Sequence, residues 1–105
     1  MPPLKTVWPA KDPEEALVAE FDYANEIQAG ETIVGMDVSC GVVAGVDPDP
    51  AAVLNGFPIL DLTGRSVLQP FHAGLHGVNY HLRCVATLSS GRVLVRAAIL
   101  PVRTA

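Results

Sequence analysis

Apolar and polar residues alternate along most of this chain, a pattern that predicts strands half buried in a sheet. The alternation is clearest from Tyr80 to Leu88. Tyr80, Leu82, Cys84, Ala86 and Leu88 fall on one face and His81, Arg83 and Thr87 on the other, as a central strand requires. Ser89-Ser90-Gly91-Arg92 supplies a turn, and Val93 to Leu100 returns as the second strand of a hairpin. Between Glu15 and Tyr23, Leu17, Ala19, Phe21 and Tyr23 oppose Glu20 and Asp22. Asp12-Pro13 would suit a helix start, but two aromatics in an alternating run decide for a strand. From Thr32 to about Val43 the period continues, with Val34, Met36, Val38, Cys40 and Val42 sharing one face. Gly35 and Gly41 on the opposite face mark a bulge or a close backbone approach.

The middle of the chain is punctuated by proline and glycine. Gly45 to Pro50 reads as a loop, and Ala51 to Leu54 as a short strand closed by the hairpin signal Asn55-Gly56. Phe57 to Leu62 and Ser66 to Phe71 are further strands, and Pro58 and Pro70 place them at sheet edges. The glycine-rich corner from His72 to Asn79 leads into Tyr80. The count is seven or eight short strands with turns at sandwich spacing and no required helix. The fold expected is an all-β antiparallel sandwich of the immunoglobulin-like kind. Val34, Met36, Val38, Cys40, Tyr80, Leu82, Cys84 and Val95 are expected in one core. Tyr80 is expected to bond back to the preceding turn as a tyrosine corner, although Cys84 follows it by four positions and not by two.

Residues 1–13 hold Pro2, Pro3, Pro9 and Pro13, which lack the ladder donor and keep a chain extended, so an N-terminal arm is expected ahead of a single domain over 14–105. Trp8 sits in that arm between Val7 and Pro9. It either folds back over its own core or anchors a neighbouring chain, and Trp8, Pro9 and Val7 are the interface candidates.

A chain of 105 residues suffices for one core. Its longest apolar runs fall well short of a membrane helix, and Met1 to Lys5 does not read as a secretory leader. A soluble chain in the compartment where it is made is expected. Two cysteines are too few for a disulfide scaffold or a four-thiolate zinc site. Cys40 and Cys84, on inward positions, are expected reduced, although the second and sixth strands of an immunoglobulin domain are the pair that a disulfide bridges. The net charge of −4 argues against nucleic acid. It is unevenly spread, with ten acidic and two basic side chains over residues 1–49 against one acidic and five basic over 50–105. That division either leaves room for complementary contacts between copies or simply sets two strand groups facing each other with their charges on solvated faces.

Candidate chemistry is thin. His72 and His76 share no helix, because Gly74 and Gly77 interleave them, and His81 points out of the central strand. Asp47 and Asp49 alternate with prolines and are too few for a calcium loop. Ser39-Cys40-Gly41 is no nucleophile elbow, and Gly41 to Gly45 lacks the lysine and hydroxyl of a phosphate loop. No catalytic residue, metal ligand or cofactor is assigned.

Asp12-Pro13 with Glu15 and Leu17, then Phe21-Asp22-Tyr23, then Gly30-Glu31-Thr32-Ile33, then Tyr80 and Ser90-Gly91-Arg92, resembles a family of small tailed-phage and prophage proteins. The family opens on an Asp-Pro-x-Glu strand followed by Gly-Asp-Thr-Ile. This chain departs from it at Glu31, at Ala24 and in its proline-rich middle. The resemblance implies a non-enzymatic structural part of the particle at the head surface, the head-to-tail junction or the tail. Other copies of itself and neighbouring virion proteins would be its partners, with neither nucleic acid nor membrane. It implies a homo-oligomer, made in the host bacterial cytoplasm and carried into the virion. A module binding carbohydrate or peptide in its end loops is the alternative.

Overall fold

The computed structural model describes residues 6–105; the Pro2-Pro3 part of the expected arm lies outside them. Seven strands form two sheets: β1 (Thr6–Val7), β2 (Leu17–Asp22), β3 (Ile33–Ala44), β4 (Ile59–Leu60), β5 (Ser66–Phe71), β6 (Asn79–Leu88) and β7 (Val93–Pro101). One sheet has the order β1-β7-β6-β3 and the other β2-β5-β4. The fold is the all-β sandwich that the alternation predicts. β6 lies at the centre of the larger sheet, and Tyr80, Leu82, Cys84, Ala86 and Leu88 are all buried beneath it. Ala19, Phe21, Val67 and Phe71 of the smaller sheet close the same core. Tyr23 ties the layers together by donating from its buried phenol to the Cys84 carbonyl at 3.0 Å.

Four local readings are corrected. Val34 is not core. Ile33 pairs with Leu88 and Gly35 with Thr87, so Val34 is the extra residue of a bulge and is 65% exposed. Thr32 is fixed at that point from both sides: its carbonyl accepts from Ser89 N–H and its N–H donates to Ser89 Oγ. Ile33 takes the core position, after which Met36, Val38 and Cys40 follow the expected parity.

Val95 is not core either. Cys84 faces Arg96 and Leu82 faces Ala98, so Leu94, Arg96, Ala98 and Leu100 point inward and Val95 stands outward, 40% exposed. Arg96 is tolerated on the inner row because it lies at the open side of the sandwich. Its guanidinium sits 5.0 Å from the Tyr23 ring centroid and pairs with Glu26.

Ala51 to Leu54 is not a strand. Pro50 starts a single 3-10 turn over Pro50–Val53, and Leu54 makes one bridge to Phe71, so Asn55-Gly56 closes no hairpin. Pro70, finally, is central and not at an edge, since β5 lies between β2 and β4. Its carbonyl accepts from Asn55 N–H beyond the end of β4. In an extended chain the nitrogen of a residue faces the same side as its carbonyl, so the missing donor falls where no ladder strand asks for it.

Candidate interaction surface

Several titratable groups are absorbed by the scaffold. The Tyr80 phenol accepts from Leu75 N–H at 2.8 Å and donates to Asp47 Oδ2 at 2.6 Å. Burial and the Asp47 bond push its pKa up to about 12. Asp47 thus steadies two loops, and its other oxygen accepts from Asp49 N–H. His76 Nδ1 accepts from Thr104 N–H at the corner, while His81 stands on the outer row of β6. Among the described residues no group of three or more His, Cys, Asp or Glu is placed to hold a metal ion. Cys40 and Cys84 are free thiols on neighbouring strands of one sheet, where Cys40 faces Leu82 and Cys84 faces Val38. An immunoglobulin disulfide crosses between sheets, which this pair does not. Burial pushes Cys40 up to about 12 and raises Cys84 as well, so neither thiol is a ready nucleophile.

Lys11 is the buried charge that the sequence does not announce. Its ammonium donates to the carbonyls of Ala73 at 2.5 Å and Asp12 at 2.8 Å, and burial lowers its pKa. Its backbone bridges to the C-terminus through Lys11 N–H to Pro101 O and Arg103 N–H to Lys11 O. The lysine therefore fastens the entry of the chain to its exit and to the corner before β6. A neighbouring glycine is equally constrained. A side chain at Gly74, φ 90°, would meet Val102 Cγ2 at 2.9 Å.

The described part of the arm runs along the sandwich. β1 pairs in parallel with β7, Trp8 N–H donates to Ile99 O, and the half-buried Trp8 ring stacks on Phe71 at 5.9 Å and tilts against Phe21 at 5.7 Å. Trp8 thus covers the seam between the sheets, and Val7 and Pro9 on either side are exposed. A cleft of about 410 Å³ beside it is lined by Trp8, Leu17, Val18, Phe71 and Leu100.

Among the described residues, two of the open apolar surfaces stand out. At the β4 edge Phe57 is 90% exposed and Leu62 fully so, with Ile59 between them. The other is the outer face of the four-stranded sheet. Val7 stands beside Ile99, Ala97 beside Arg83, and Val95 beside Val85, which faces Asp37. The signal for this face lay in β7 itself. Val93-Leu94-Val95-Arg96-Ala97-Ala98-Ile99-Leu100 is apolar at every position but Arg96, much as a strand covered on both faces reads, whereas a solvated outer row would alternate.

No curated protein and no solved structure matches the chain. Residues 11–101, from the Lys11 bridge to the end of β7, match the model of a family described as podophage GP4 fiber-tail adaptor protein gp77, and the chain belongs to that family of tailed-phage structural proteins.

Proposed function

We propose that the chain joins fibre to tail in a podophage particle. It works as an adaptor through protein contacts alone, without catalysis and without touching nucleic acid. The observation that carries this reading is the extent of the family match, which runs through both sheets and the corner before β6 and is not confined to one motif. The surface agrees with such a role, because its conspicuous features are exposed apolar side chains and not a basic track.

In this reading the chain folds in the host cytoplasm, assembles in several copies and leaves in the virion. The sandwich over 14–105 is the scaffold, with Tyr80, Leu82, Cys84 and Cys40 holding its larger sheet in shape. The arm over 1–13 contributes the contact residues Val7 and Pro9, with Trp8 behind them holding the arm in place. Deleting the gene from the phage genome and supplying it from a plasmid tests the reading. Particles made without the chain are expected to carry tails lacking fibres by electron microscopy and mass spectrometry, and plasmid expression should restore them. Fully fibred particles without the chain would overturn it.

A further inference from the structure

We infer that the outer face of the four-stranded sheet is the surface by which one copy of this chain pairs with a second, face to face across a two-fold axis. The proposal rests on the multi-copy reading above and names the surface that reading leaves open. On its β7 side the face is apolar where a solvated sheet would be polar, while the outer rows of β6 and β3 carry His81, Arg83, Thr87, Asp37 and Ser39. Val93, Val95, Ala97 and Ile99, with Pro101 at the end, form the outer row of β7, with Val85 beside them on β6 and Val7 beside them on β1. Three strands about 4.8 Å apart over seven residues of about 3.3 Å give a patch of roughly 14 by 23 Å, which the two residues of β1 extend at one corner. Two such patches, even corrugated by their side chains, stay under ~1,200 Å², the size of a weak, concentration-dependent pairing.

The charges of the face select the occupant. Among the described residues it carries one fixed cation, Arg83, and one anion, Asp37. Arg83 faces Ser39 and Asp37 faces Val85 across β3 and β6, so the two lie one diagonal step apart. Both are exposed, and neither is in an ion pair among the described residues. An apolar β7 row flanked, among the described residues, by one charge of each sign is complementary to itself. A two-fold axis between the pair brings Arg83 of each copy onto Asp37 of the other, which makes two equivalent contacts from a single one. A basic or acidic partner would leave one of the two charges opposed.

Sedimentation equilibrium of the full chain from about 1 to 500 µM tests the pairing. The chain is expected to dimerise. R83D and D37R are each expected to weaken the dimer at least about tenfold, because two like-charge contacts replace two attractive ones. A mixture of R83D with D37R, and the double variant R83D/D37R, are both expected to recover it. Val95→Lys should abolish it while the circular dichroism spectrum and melting midpoint stay near wild type. A monomer at every concentration, or a dimer that ignores both the charge swaps and Val95→Lys, would overturn the proposal. Incorporation into particles separates its failure from that of the adaptor reading. If the chain is monomeric and Val95→Lys still blocks incorporation, another virion protein covers this face, and the pairing is wrong while the adaptor role stands.

Discussion

β6 and β7 are adjacent strands of nearly equal length in the same sheet, hydrogen-bonded along their whole run, yet they divide their side chains differently. β6 keeps a buried apolar row inside and His81, Arg83 and Thr87 outside, as a strand does that meets water on one face. β7 places Arg96 inside and Val93, Val95, Ala97 and Ile99 outside. Both strands satisfy the same core, so the difference does not come from the fold of the monomer. It leaves an apolar outer row on the side of the sheet where β7 lies, and it shows that parity on one strand is fixed by the register of its neighbour.

The widest separation between the two strands is expected in stability. Leu82→Ala removes a fully buried side chain from β6 and is expected to cost about 2–5 kcal/mol in urea unfolding. Val95→Ala on the outer row of β7 should stay within about 0.5 kcal/mol. Equal losses at the two positions would mean that the outer face is packed within the monomer, which would break the contrast.

Next in size is Arg96, the charged residue on the inner row. It lies at the side of the sandwich over Tyr23, and its side chain and that of Glu26 remain one-third and nearly half exposed, so solvent screens the pair. Arg96→Ala is expected to cost about 1 kcal/mol or less, most of it from lost contact with the Tyr23 ring. A loss as large as that of Leu82→Ala would place Arg96 in the core proper and remove the reason that β7 tolerates it.

Where the sequence succeeded and failed follows the same physics. Strand positions along β2, β3, β5, β6 and β7 were legible because a single buried face imposes a period of two, and β6, flanked on both sides, shows it unbroken. Val34 was misplaced because one inserted residue reverses parity and carries no compositional mark beyond the adjacent Gly35. Val95 was misplaced because arginine looks like an outward residue until a ring and a carboxylate are found beside it. Pro70 and Asn55-Gly56 carried correct local chemistry, and the chain length around them decided otherwise. The candidate surface was legible only as an anomaly, the apolar run of β7 broken by Arg96 alone. Lys11 could not have been found, since its partners are backbone carbonyls and one of them is distant in sequence.

Thiol labelling sharpens the inner side of the contrast. Cys84 is fully buried on β6, and Cys40 on β3 is partly covered with its pKa pushed up to about 12 by burial. Iodoacetamide near neutral pH is expected to modify neither in the native protein at an appreciable rate, Cys40 being the faster of the two, and both at once in denaturant. Rapid native labelling of Cys84 would mean that the β3–β6–β7 sheet opens on the labelling timescale. Absence of labelling after denaturation would mean a disulfide.

The smallest expected effect concerns the turn that joins the two strands. Glu31 accepts from Arg92 Nε at 2.8 Å and from a second guanidinium nitrogen at 2.6 Å, and also from Ser90, so the β6–β7 turn is fastened to the loop before β3 by one carboxylate. The Arg92 bonds, then the Ser90 bond, hold the Glu31 pKa down from 4.5 to about 2. A depressed folded-state pKa means that the unfolded chain binds the proton more readily, so the contribution is complete above pH 4.5 and is lost as pH falls towards 2. Asp12 and Asp61, whose pKa values are also lowered, add their own acid sensitivity, and only the difference between variants isolates Glu31. Urea unfolding of wild type and Glu31→Gln at stepped pH should therefore show a gap that is constant from neutral pH to about 5 and closes below it. A gap that persists at pH 2 would assign the effect to the shape of the amide, and a gap absent at pH 7 would mean that the turn holds without its carboxylate.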